Sequence, residues 1–405
     1  MHETYDRDIL RLVDQPARVW SAIHPRLGIV GGGQLAKMTA LAGLQLGCDV
    51  VVLERNNYSP AANLASHSLV GDWDSPEALV KLASQVDVVT LENEFVDAAG
   101  LEALEACGYC VLPTSRTVAL VQDKLGQKEA LRAAGLPVPR FESVASPADI
   151  EAGGGRFGWP LLVKARRNAY DGKGNVTLRA ADEVFNAWHR LGGSAGRGLF
   201  IEEFCDFEAE LAVIVTRGRH GGTATYPVVQ TIQRDHVCHV VQAPAPVPEE
   251  VVARAAEMAR EAVAAVGGVG SFGVELFWKR DGSLVINELA PRVHNSGHYT
   301  IEACVCSQFE NHVRAVLGWP LGETRMVAPA AVMVNLLGRG KAPGRPVGLG
   351  EALGVRGAHV HLYGKAMSGP GRKMGHVTAL GATLAEARAI AEEAAGRIGF
   401  GGGEN

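Results

Sequence analysis

The chain has 405 residues, 47% of them hydrophobic and 20% charged, and its formal net charge at neutral pH is −5. That length exceeds one ordinary core and predicts two to four domains. The slightly acidic balance argues against a dedicated nucleic-acid binder, and no apolar run approaches the roughly 18 residues that a membrane-spanning helix needs. We therefore expect a globular protein that acts on small molecules, with neither nucleic acid nor a membrane as a partner.

The cysteines and the N-terminus indicate the compartment. The seven cysteines lie in apolar stretches. The Cys107–Cys110 pair has no second pair at zinc spacing, so two small buried residues are a better interpretation than a metal or redox site. Such a set fits a reducing compartment. Residues 1–25 lack the apolar segment of a secretory signal, and we predict a cytoplasmic protein with an N-terminal extension.

The first elements after this extension predict a parallel sheet. Strands are expected at 27–30, 49–54 and 87–92, and an apolar helix that ends near Leu46 lies between the first two. This strand–helix–strand order is typical of a doubly wound α/β domain. Residues up to about 122 are assigned to that domain.

A glycine cluster, Gly31-Gly32-Gly33, joins the first strand to its helix and allows three interpretations. It matches a dinucleotide fingerprint only roughly, although Glu54 ends the second strand where a ribose would bind. Bare backbone N–H groups at a helix N-terminus could also bind a phosphate. The third interpretation is a tight turn that needs small residues. The glycines alone leave all three open.

A cationic loop joins the next two predicted strands, 160–165 and 174–178. Lys164 lies at the end of the first strand, and the loop from Arg166 to Lys173 is rich in cations and contains glycine. Such a loop can close over a polyphosphate. It is not a Walker P-loop, because no G-K-[ST] sequence opens a helix here. A solvated basic hairpin is the alternative.

Acidic residues follow a predicted strand at 199–202. Glu202, Glu203 and Glu210 surround the Phe204-Cys205 dipeptide. An apolar strand that leads to acids suits an adenine slot beside a ribose-binding carboxylate, although surface acids after a strand are common. The elements expected next are strands at 211–216, 223–230 and 237–243 and a helix at 249–266.

The strongest candidate site is a predicted hairpin at 272–288. The turn Lys279–Gly282 puts Glu275 and Glu288 at the same depth on neighbouring antiparallel strands. Two such acids suit a divalent cation that bridges nucleotide phosphates. The polar segment Asn287–His298 then leaves this point with groups suited to an anionic substrate.

The last part of the chain, from about residue 328, predicts a smaller β-rich unit with a final helix at 384–396. Basic residues cluster in two of its segments, His359–Lys365 and Gly371–His376. They could reach a substrate phosphate, or they could form a basic surface hairpin.

These motifs, in this order, resemble the ATP-grasp superfamily and, within it, the N5-carboxyaminoimidazole ribonucleotide synthetase family. The resemblance spans about residues 27–380, and its segments HNSGH and GRKMGH are specific to that family. The matching segments are Gly31–Leu35, Thr90–Glu94, Gln122–Lys124, Tyr170–Gly174, Asn287–Arg292, His294–His298, Tyr363–Lys365 and Gly371–His376.

The resemblance implies an α/β and α+β fold of the ATP-grasp type. An N-terminal doubly wound parallel-sheet domain would precede two central ATP-grasp subdomains and a small β-rich C-terminal domain. The implied segments are an extension at 1–25, a pre-ATP-grasp α/β domain at 26–122, a small lid subdomain at 123–205, a large subdomain with the metal carboxylates at 206–327 and the C-terminal domain at 328–398.

The resemblance also implies a ligase of de novo purine biosynthesis. In that family ATP and bicarbonate form carboxyphosphate. Its carbon dioxide is captured by the amine of 5-aminoimidazole ribonucleotide, which gives N5-carboxyaminoimidazole ribonucleotide, ADP and phosphate. The implied cofactors are ATP and Mg²⁺, with bicarbonate as co-substrate. A homodimer is expected, and a separate mutase is expected to use the product.

The family's functional positions transfer to this sequence one by one. The implied metal ligands are Glu275 and Glu288, and the implied catalytic residues are Asp171, Lys365 and Arg292, with Asp171 at the reacting amine. The implied ATP contacts are Lys124, Lys164, Tyr170, Asp171, Gly172, Lys173, Gly174, Asn175, Glu202, Glu203, Phe204, Cys205, Glu210, Gln233, Asn287 and Glu288. The implied ribonucleotide contacts are Gly33, Gln34, Leu35, Glu94, Tyr170, Asp171, Arg292, His294, Asn295, Ser296, Lys365 and Arg372.

Three positions depart from the family pattern. Lys124 stands where Arg is frequent, which keeps the charge but loses the bidentate fork. Asn168-Ala169 replace glycines in the cationic loop. Gln233 replaces a histidine, so it can still form hydrogen bonds but cannot titrate.

Two rival functions are weighed against this one. A sibling ATP-grasp enzyme would acylate a different ribonucleotide with formate, which the segments HNSGH and GRKMGH argue against. A nicotinamide-dependent oxidoreductase could be built on the Gly31–Glu54 unit, but it would leave Glu275, Glu288 and the cationic loop unexplained.

Overall fold

A computed structural model describes residues 24–168 and 174–400, and its first domain is built on a small parallel sheet. The strands read as continuous apolar runs because helices cover both faces of a parallel sheet. The sheet order is β3-β2-β1-β4, with every ladder parallel, as the sequence predicts. The elements are β1 (Arg26–Val30), α1 (Gln34–Gln45), β2 (Asp49–Glu54), β3 (His67–Val70), α2 (Pro76–Ala83), β4 (Val88–Leu91), α3 (Ala98–Ala106) and α4 (Ser115–Gln122).

The helices of this domain begin in two different ways. The side chains of Ser75, Asp97 and Thr114 accept hydrogen bonds from the first-turn N–H groups of α2, α3 and α4. The N-cap of α1 is Gly33, which has no side chain to do this. The first N–H groups of α1 are therefore left for other partners.

The second unit is a small antiparallel subdomain. Its strands have the order β5-β8-β6-β7, and their inner faces bury Ile150, Leu161, Val163 and Ile201. The cationic loop of the sequence analysis joins β6 to β7, as predicted. The elements are α5 (Lys124–Ala133), β5 (Phe141–Val144), α6 (Pro147–Phe157), β6 (Leu161–Ala165), β7 (Asn175–Leu178), α7 (Val184–Arg190) and β8 (Leu199–Glu203).

The third unit is a large sheet that one long amphipathic helix covers. Met258, Ala262 and Val263 of that helix, α8, pack into the largest cluster of apolar side chains among the described residues. The elements are β9 (Phe207–Arg217), β10 (Thr223–Thr225), β11 (Val229–Arg234), β12 (Val237–Ala243), α8 (Glu249–Ala265), β13 (Gly270–Lys279), β14 (Leu284–Ala290), α9 (Thr300–Ala303) and α10 (Gln308–Leu317).

One predicted strand of this unit is interrupted. The run 223–230 contains all of β10 and the start of β11, with Pro227 between them. Proline has no N–H to donate to a ladder, so a strand breaks there. β10 and β11 both pair with β9 at different points of its length.

The C-terminal segment extends the large sheet. β15 pairs with β12, for example Val240 with Val334, so strands on both sides of residue 328 form one nine-stranded sheet. The predicted boundary at 328 thus divides a continuous sheet, because neighbouring strands satisfy each other's backbone groups wherever they lie in the chain. The elements are β15 (Ala330–Leu337), β16 (Ala342–Pro343), β17 (Pro346–Val347), α11 (Leu349–Leu353), β18 (Ala358–Leu362), β19 (Met367–Ser368), β20 (Lys373–Gly381), α12 (Leu384–Gly396) and β21 (Gly399–Phe400).

Helix α5 packs against β14, at the edge of the large sheet. The Gln127 side chain donates to the Leu289 carbonyl at 3.1 Å and accepts from the Leu289 N–H at 2.8 Å, so it replaces a neighbouring strand at this point. The contact holds the start of α5 beside Glu288. No helix in residues 24–168 or 174–400 is both long and apolar enough to cross a membrane.

Candidate active site

The two carboxylates of the hairpin lie directly opposite each other. Glu275 of β13 pairs in register with Glu288 of β14, and a β-bulge follows Glu275. Burial and the nearby carboxylates of Glu288 and Glu210 raise the pKa of Glu275. Burial acts against ionisation of Glu288 as well, but Lys124 outweighs it and lowers that pKa. Like charges this close are unfavourable unless a cation lies between or beside them.

The residues around this pair fit a magnesium ion. The Oδ1 atom of Asn287 is buried and has no hydrogen-bond partner, although it is adjacent to Glu288. Mg²⁺ binds oxygen, usually through one or two carboxylates, and completes its shell with phosphates and water. In the described parts of the chain no three His, Cys, Asp or Glu residues cluster as a metal site. The donor set therefore suits an ion shared with a nucleotide rather than a closed protein site.

Three lysines lie near this pair of carboxylates and the neighbouring carboxylate of Glu202. Lys124 Nζ lies 2.5 Å from Glu288 Oε2, and Lys164 Nζ lies 2.6 Å from Glu202 Oε1. Lys128 follows Lys124 by one helical turn on α5, and its Nζ lies 2.6 Å from Glu202 Oε2. Two of these cations, Lys124 and Lys164, were predicted to bind ATP. Each of the two is held by a carboxylate, and the phosphate oxygens of an incoming nucleotide could take the place of that carboxylate.

Of residues 202–205, which are predicted to form the adenine side, Phe204 is exposed, whereas the others are buried or held in ion pairs. Glu202 is buried between its two lysines, so its side chain does not face an open slot. Glu203 pairs with Arg140 at 2.5 Å. Phe204 is 46% exposed, while Cys205 is buried beside it.

Glu210 lies farther along β9 and contacts the strand next to it. Burial raises its pKa, and hydrogen bonds from Gln233 and Thr231 act in the opposite direction. Gln233 sits at a β-bulge of β11. The structure therefore brings the predicted pair Glu210 and Gln233 together.

On the predicted ribonucleotide side, an arginine and two glutamates meet the start of α1. Arg292 donates to both carboxylate oxygens of Glu94, with distances of 2.5 and 3.1 Å. The Leu35 N–H, in the first turn of α1, donates to Glu92 Oε1 at 3.4 Å. A Cβ atom built on Gly33 would lie 2.1 Å from that same Oε1, so Gly33 is required for this close approach. Gln34 begins α1 immediately beside this contact.

The loop after β14 connects the two sides. His294 Nδ1 lies 2.9 Å from Ser296 Oγ, and its Nε2 lies 3.6 Å from Glu275 Oε1. Burial and the positive charge of Arg292 lower the pKa of His294 to about 4, which keeps the ring neutral. Asn295 instead exchanges two amide hydrogen bonds with Asn335, at 3.0 and 2.7 Å. The Asn295 side chain is thus engaged within the protein, and its contact with the ribonucleotide stays a prediction.

The family-specific segments HNSGH and GRKMGH meet through their last histidines. The rings of His298 and His376 lie 5.1 Å apart, and His376 also stacks on His361 at 4.4 Å. Tyr363 Oη lies 3.0 Å from His376 Nδ1, and Glu302 lies 2.6 Å from His361. This buried cluster attaches the Tyr363–Lys365 turn to the loop after β14.

The basic residues of the C-terminal segment differ in position. The positive charge of Lys365 acts on Glu92 and opposes the rise of its pKa that burial causes. Lys373 likewise opposes the rise in the pKa of Glu275, whereas at His294 its charge adds to the lowering of the pKa that burial causes. Arg372 lies on an exposed turn and donates to the carbonyl of Met367 at 2.9 Å. Its contact with the ribonucleotide stays a prediction.

Known proteins resemble this chain in each of its parts. Residues 25–122 match the ribonucleotide synthetase preATP-grasp domain, residues 129–309 the ATP-grasp domain, and residues 331–390 the phosphoribosylaminoimidazole carboxylase C-terminal domain. The chain is 43% identical over 360 residues to the N5-carboxyaminoimidazole ribonucleotide synthase of Synechococcus elongatus, which covers 88% of this chain and 90% of that protein. The chain belongs to the N5-carboxyaminoimidazole ribonucleotide synthetase family.

Solved structures of this synthetase family have the same fold. The enzyme of Aspergillus clavatus in complex with ATP superposes with a TM-score of 0.85 at 37% identity, covering 93% of this chain and 99% of that one. The same organism's enzyme in complex with ADP and 5-aminoimidazole ribonucleotide gives 0.84 at 34% identity, with 92% and 98% covered. These matches confirm the predicted ATP-grasp architecture and the identification of the chain as an ATP-grasp ligase.

The synthetase fold gives Glu54 a different role from the ribose contact of the dinucleotide interpretation. Glu54 Oε2 accepts the N–H of Gly32 at 2.8 Å, and Oε1 accepts that of Arg55 at 2.6 Å. The carboxylate thus fixes the glycine turn and is not available to a ribose. This observation removes the feature on which a nicotinamide-dependent oxidoreductase depended.

Four predicted site residues of the cationic loop, Tyr170, Asp171, Gly172 and Lys173, lie outside the described residues. Their neighbours are described: the Ala165 N–H donates to the Gly174 carbonyl at 2.8 Å, and Asn175 pairs with Lys164 across the β6–β7 ladder. The loop therefore begins and ends beside Lys164.

Sequence reasoning missed three residues of this synthetase site. Lys128 is buried and Glu92 half-buried beside predicted ligands, and Lys373 acts electrostatically on Glu275. Lys128 could have been found from its position four residues after Lys124, which puts both on one face of α5. Glu92 could have been found from its place at the carboxyl end of a parallel strand, where α/β sheets bind ligands.

Proposed function

We propose that this chain joins 5-aminoimidazole ribonucleotide, bicarbonate and ATP to give N5-carboxyaminoimidazole ribonucleotide, ADP and phosphate, as a step of purine biosynthesis. Family membership supports the reaction, as do a relative named for this activity and relatives solved in complex with ATP or with ADP and 5-aminoimidazole ribonucleotide. The observation that carries the proposal is the loop from Glu288 to Ser296. It leaves the metal carboxylates and reaches the Arg292–Glu94 pair within a few residues, and His294 contacts Glu275.

The nucleotide would bind between the two ATP-grasp subdomains. Lys124 and Lys164 would exchange their carboxylate partners for phosphate oxygens, which carry more negative charge. Glu275, Glu288 and the buried Oδ1 of Asn287 would hold Mg²⁺, which supplies neutralisation of the charge on the terminal phosphates. Backbone groups of 203–205 and the side chain of Glu210 would define the adenosine side.

The chemistry then proceeds in three balanced steps. A bicarbonate oxygen attacks the γ-phosphorus, which forms carboxyphosphate and releases ADP. The C–O bond of carboxyphosphate breaks and gives carbon dioxide and phosphate. The amine of the ribonucleotide attacks the carbon of carbon dioxide and loses a proton. By resemblance, Asp171 orients this amine or takes its proton, and closure of the loop 166–173 excludes water from carboxyphosphate.

The ribonucleotide would occupy the pocket between α1 and the loop after β14. The first-turn N–H groups of α1 suit an anionic or hydroxyl group of the substrate, which would replace Glu92 at the N–H of Leu35. Arg292 is held in one orientation by Glu94, and the charge of Lys365 acts on the neighbouring Glu92. These groups would place the amine next to the γ-phosphate, so that carbon dioxide is captured before it diffuses away.

A coupled assay of ADP release tests the proposal. The purified protein with ATP and Mg²⁺ should release ADP at a rate that depends on both 5-aminoimidazole ribonucleotide and bicarbonate, and the product should carry labelled carbon from bicarbonate. Replacing bicarbonate with formate tests the sibling reaction. ADP release that depends on formate, or that is indifferent to the ribonucleotide, would contradict the proposal.

We further infer a cytoplasmic homodimer whose product is consumed by a separate mutase. All seven cysteines are free, which fits a reducing compartment, and the remaining expectations rest on the family resemblance. Light scattering on the purified protein measures the oligomeric state. A monomer at micromolar concentration would exclude the dimer.

A further inference from the structure

Glu202 is a buried carboxylate that binds two lysines at once. Its Oε1 atom accepts a hydrogen bond from Lys164 Nζ at 2.6 Å. Its Oε2 atom lies 2.6 Å from Lys128 Nζ, at an angle outside hydrogen-bond geometry, so this second contact is an ion pair only. The three charges sum to +1 inside the protein. One lysine would neutralise the carboxylate, and the second requires an explanation.

The two lysines differ in burial and in origin. The side chain of Lys128 is 3% exposed and comes from α5, whereas that of Lys164 is 13% exposed and comes from β6. Lys164 also lies at the start of the cationic loop, and its charge helps to lower the pKa of Glu288 across the cleft. Lys164 is thus the partner that can leave Glu202, and the nucleotide phosphates lie in the direction of Glu288 under the proposed function.

Departure of Lys164 would be costly if it were the only partner. Removing one member of a buried ion pair leaves the other charge without compensation, which is strongly unfavourable. A single lysine on Glu202 would therefore be retained by it and lost to the nucleotide. A second lysine that stays in place removes that penalty.

We propose that Lys128 is a positioning residue that remains on Glu202 and thereby releases Lys164 to bind the nucleotide phosphates. This inference rests on the proposed function in assigning Lys164 to ATP. Burial and the charge of Lys164 both lower the pKa of Lys128. When Lys164 moves away, its positive charge no longer lowers the pKa of Lys128 as much. The remaining ion pair of Lys128 and Glu202 then becomes stronger. Lys128 lies on the same face of α5 as Lys124. Gln127, which precedes it, anchors α5 to β14 and so holds the backbone of Lys128 in place.

The test is a cycle of variants of the full-length protein, measured by calorimetric titration with Mg²⁺ and the non-hydrolysable ATP analogue AMP-PNP. Lys128→Met should raise the Kd at least about tenfold, because Glu202 then retains Lys164. The double variant Lys128→Met with Glu202→Gln should recover most of that loss, because no buried carboxylate remains to hold Lys164. Lys81→Met, at an exposed position of α2, is the matched control and should bind as the wild type does.

A structural role of Lys128 gives a different pattern. It predicts a lower Tm for Lys128→Met with an unchanged Kd, or a Kd that Glu202→Gln does not rescue, and either result overturns the inference. If Lys128→Met fails to fold, a crystal structure of the wild type with Mg²⁺ and AMP-PNP decides the question. Lys164 Nζ should then lie more than about 4 Å from Glu202, beyond ion-pair distance, with Lys128 still in contact. Lys164 still bound to Glu202 would refute the proposal.

These outcomes are separable from a failure of the proposed function. The binding measurements need neither bicarbonate nor ribonucleotide, so they stand even if ADP release shows a different acceptor. If the wild type releases ADP as proposed while the variants bind AMP-PNP equally well, only the inference about Lys128 fails. In steady state, Lys128→Met should raise the KM for ATP while leaving the KM for the ribonucleotide near the wild-type value.

Discussion

Arg292 and Glu94 form a bidentate ion pair between residues 198 positions apart in the chain. Burial alone would raise the pKa of Glu94, but Arg292 outweighs it and lowers that pKa. The pair joins the loop after β4 to the loop after β14. It therefore connects the pre-ATP-grasp domain with the segment that follows Glu288, one of the two proposed metal carboxylates.

Arg292→Lys should weaken ribonucleotide binding more than ATP binding. Lysine keeps the charge but cannot donate to both oxygens of Glu94 in one plane, so the cation loses its fixed orientation. We expect the KM for 5-aminoimidazole ribonucleotide to rise about 10- to 100-fold, in line with the loss of a buried charge-assisted pair. Steady-state kinetics with each substrate varied measures this. Arg325→Lys, in an exposed pair with Glu323, is the control, and equal increases in both KM values would argue against the assignment.

Glu288→Gln should nearly abolish turnover without unfolding the protein. The change removes the negative charge that would bind Mg²⁺ and that pairs with Lys124, yet the side chain keeps its size. The expected decrease in kcat is about 100-fold or more, since transition-state charge is then less well neutralised. A rise in the Mg²⁺ concentration needed for half-maximal rate should accompany it. Glu208→Gln, an exposed residue of β9, serves as the control, and near-normal turnover of Glu288→Gln would refute the metal assignment.

Gly33→Ala should damage the ribonucleotide side selectively. The added methyl group would lie 2.1 Å from Glu92 Oε1, so the carboxylate must move away from the N–H of Leu35. We expect a higher KM for the ribonucleotide and unchanged affinity for AMP-PNP. Gly396→Ala is the matched control, because a Cβ there meets no atom within 4 Å. If both variants behave alike, the ribonucleotide does not approach this turn.

The order of elements and the carboxylate pair could be predicted because both depend on local sequence. Hydrophobic runs and glycine turns fix the strands, and a four-residue turn places Glu275 opposite Glu288. Contacts between distant segments could not be predicted in this way. The partner of Lys128 lies on β8, several elements later in the chain, and the amide of Asn295 is occupied by Asn335 of a strand 40 residues later.

The pairing of β12 with β15, which joins the C-terminal segment to the large sheet, could not be predicted for the same reason. The edge of β12 accepts β15 because each has unsatisfied backbone groups, but nothing in the local pattern of either strand names its neighbour. Arg372 and Lys373 show the same limit for two adjacent residues. Lys373 begins β20 whereas Arg372 lies on the turn before it, and the sequence alone does not say which of the two cations acts on the site residues.

His312 joins three elements through both ring nitrogens. Its Nδ1 accepts the N–H of Ser271 at 3.0 Å, so the proton lies on Nε2, which is 2.8 Å from Thr90 Oγ1. A second proton on the ring would face the N–H of Ser271. Burial lowers the pKa of His312 from 6.5 to about 4. The folded protein therefore holds this imidazole in its neutral form.

The stability of the protein should consequently decrease as the pH falls from about 6.5 to about 4. In this range the unfolded chain binds a proton that folded His312 excludes, so the free energy of unfolding falls, by up to about 3 kcal/mol for this residue. Denaturant unfolding at a series of pH values measures the slope. His294, whose pKa is likewise lowered to about 4, adds a similar contribution.

His312→Gln should reduce this slope, while His220→Gln should not. Glutamine has no group that titrates in this range, so the variant loses the proton uptake of position 312 in the unfolded state. His220 is exposed, and its replacement removes an imidazole that is as accessible in the folded chain as in the unfolded one. The quantity to compare is the change in the free energy of unfolding between pH 7 and pH 5, because His312→Gln also shifts its absolute value. An unchanged slope in His312→Gln would show that the imidazole is protonated in the folded state and that Ser271 does not hold it neutral.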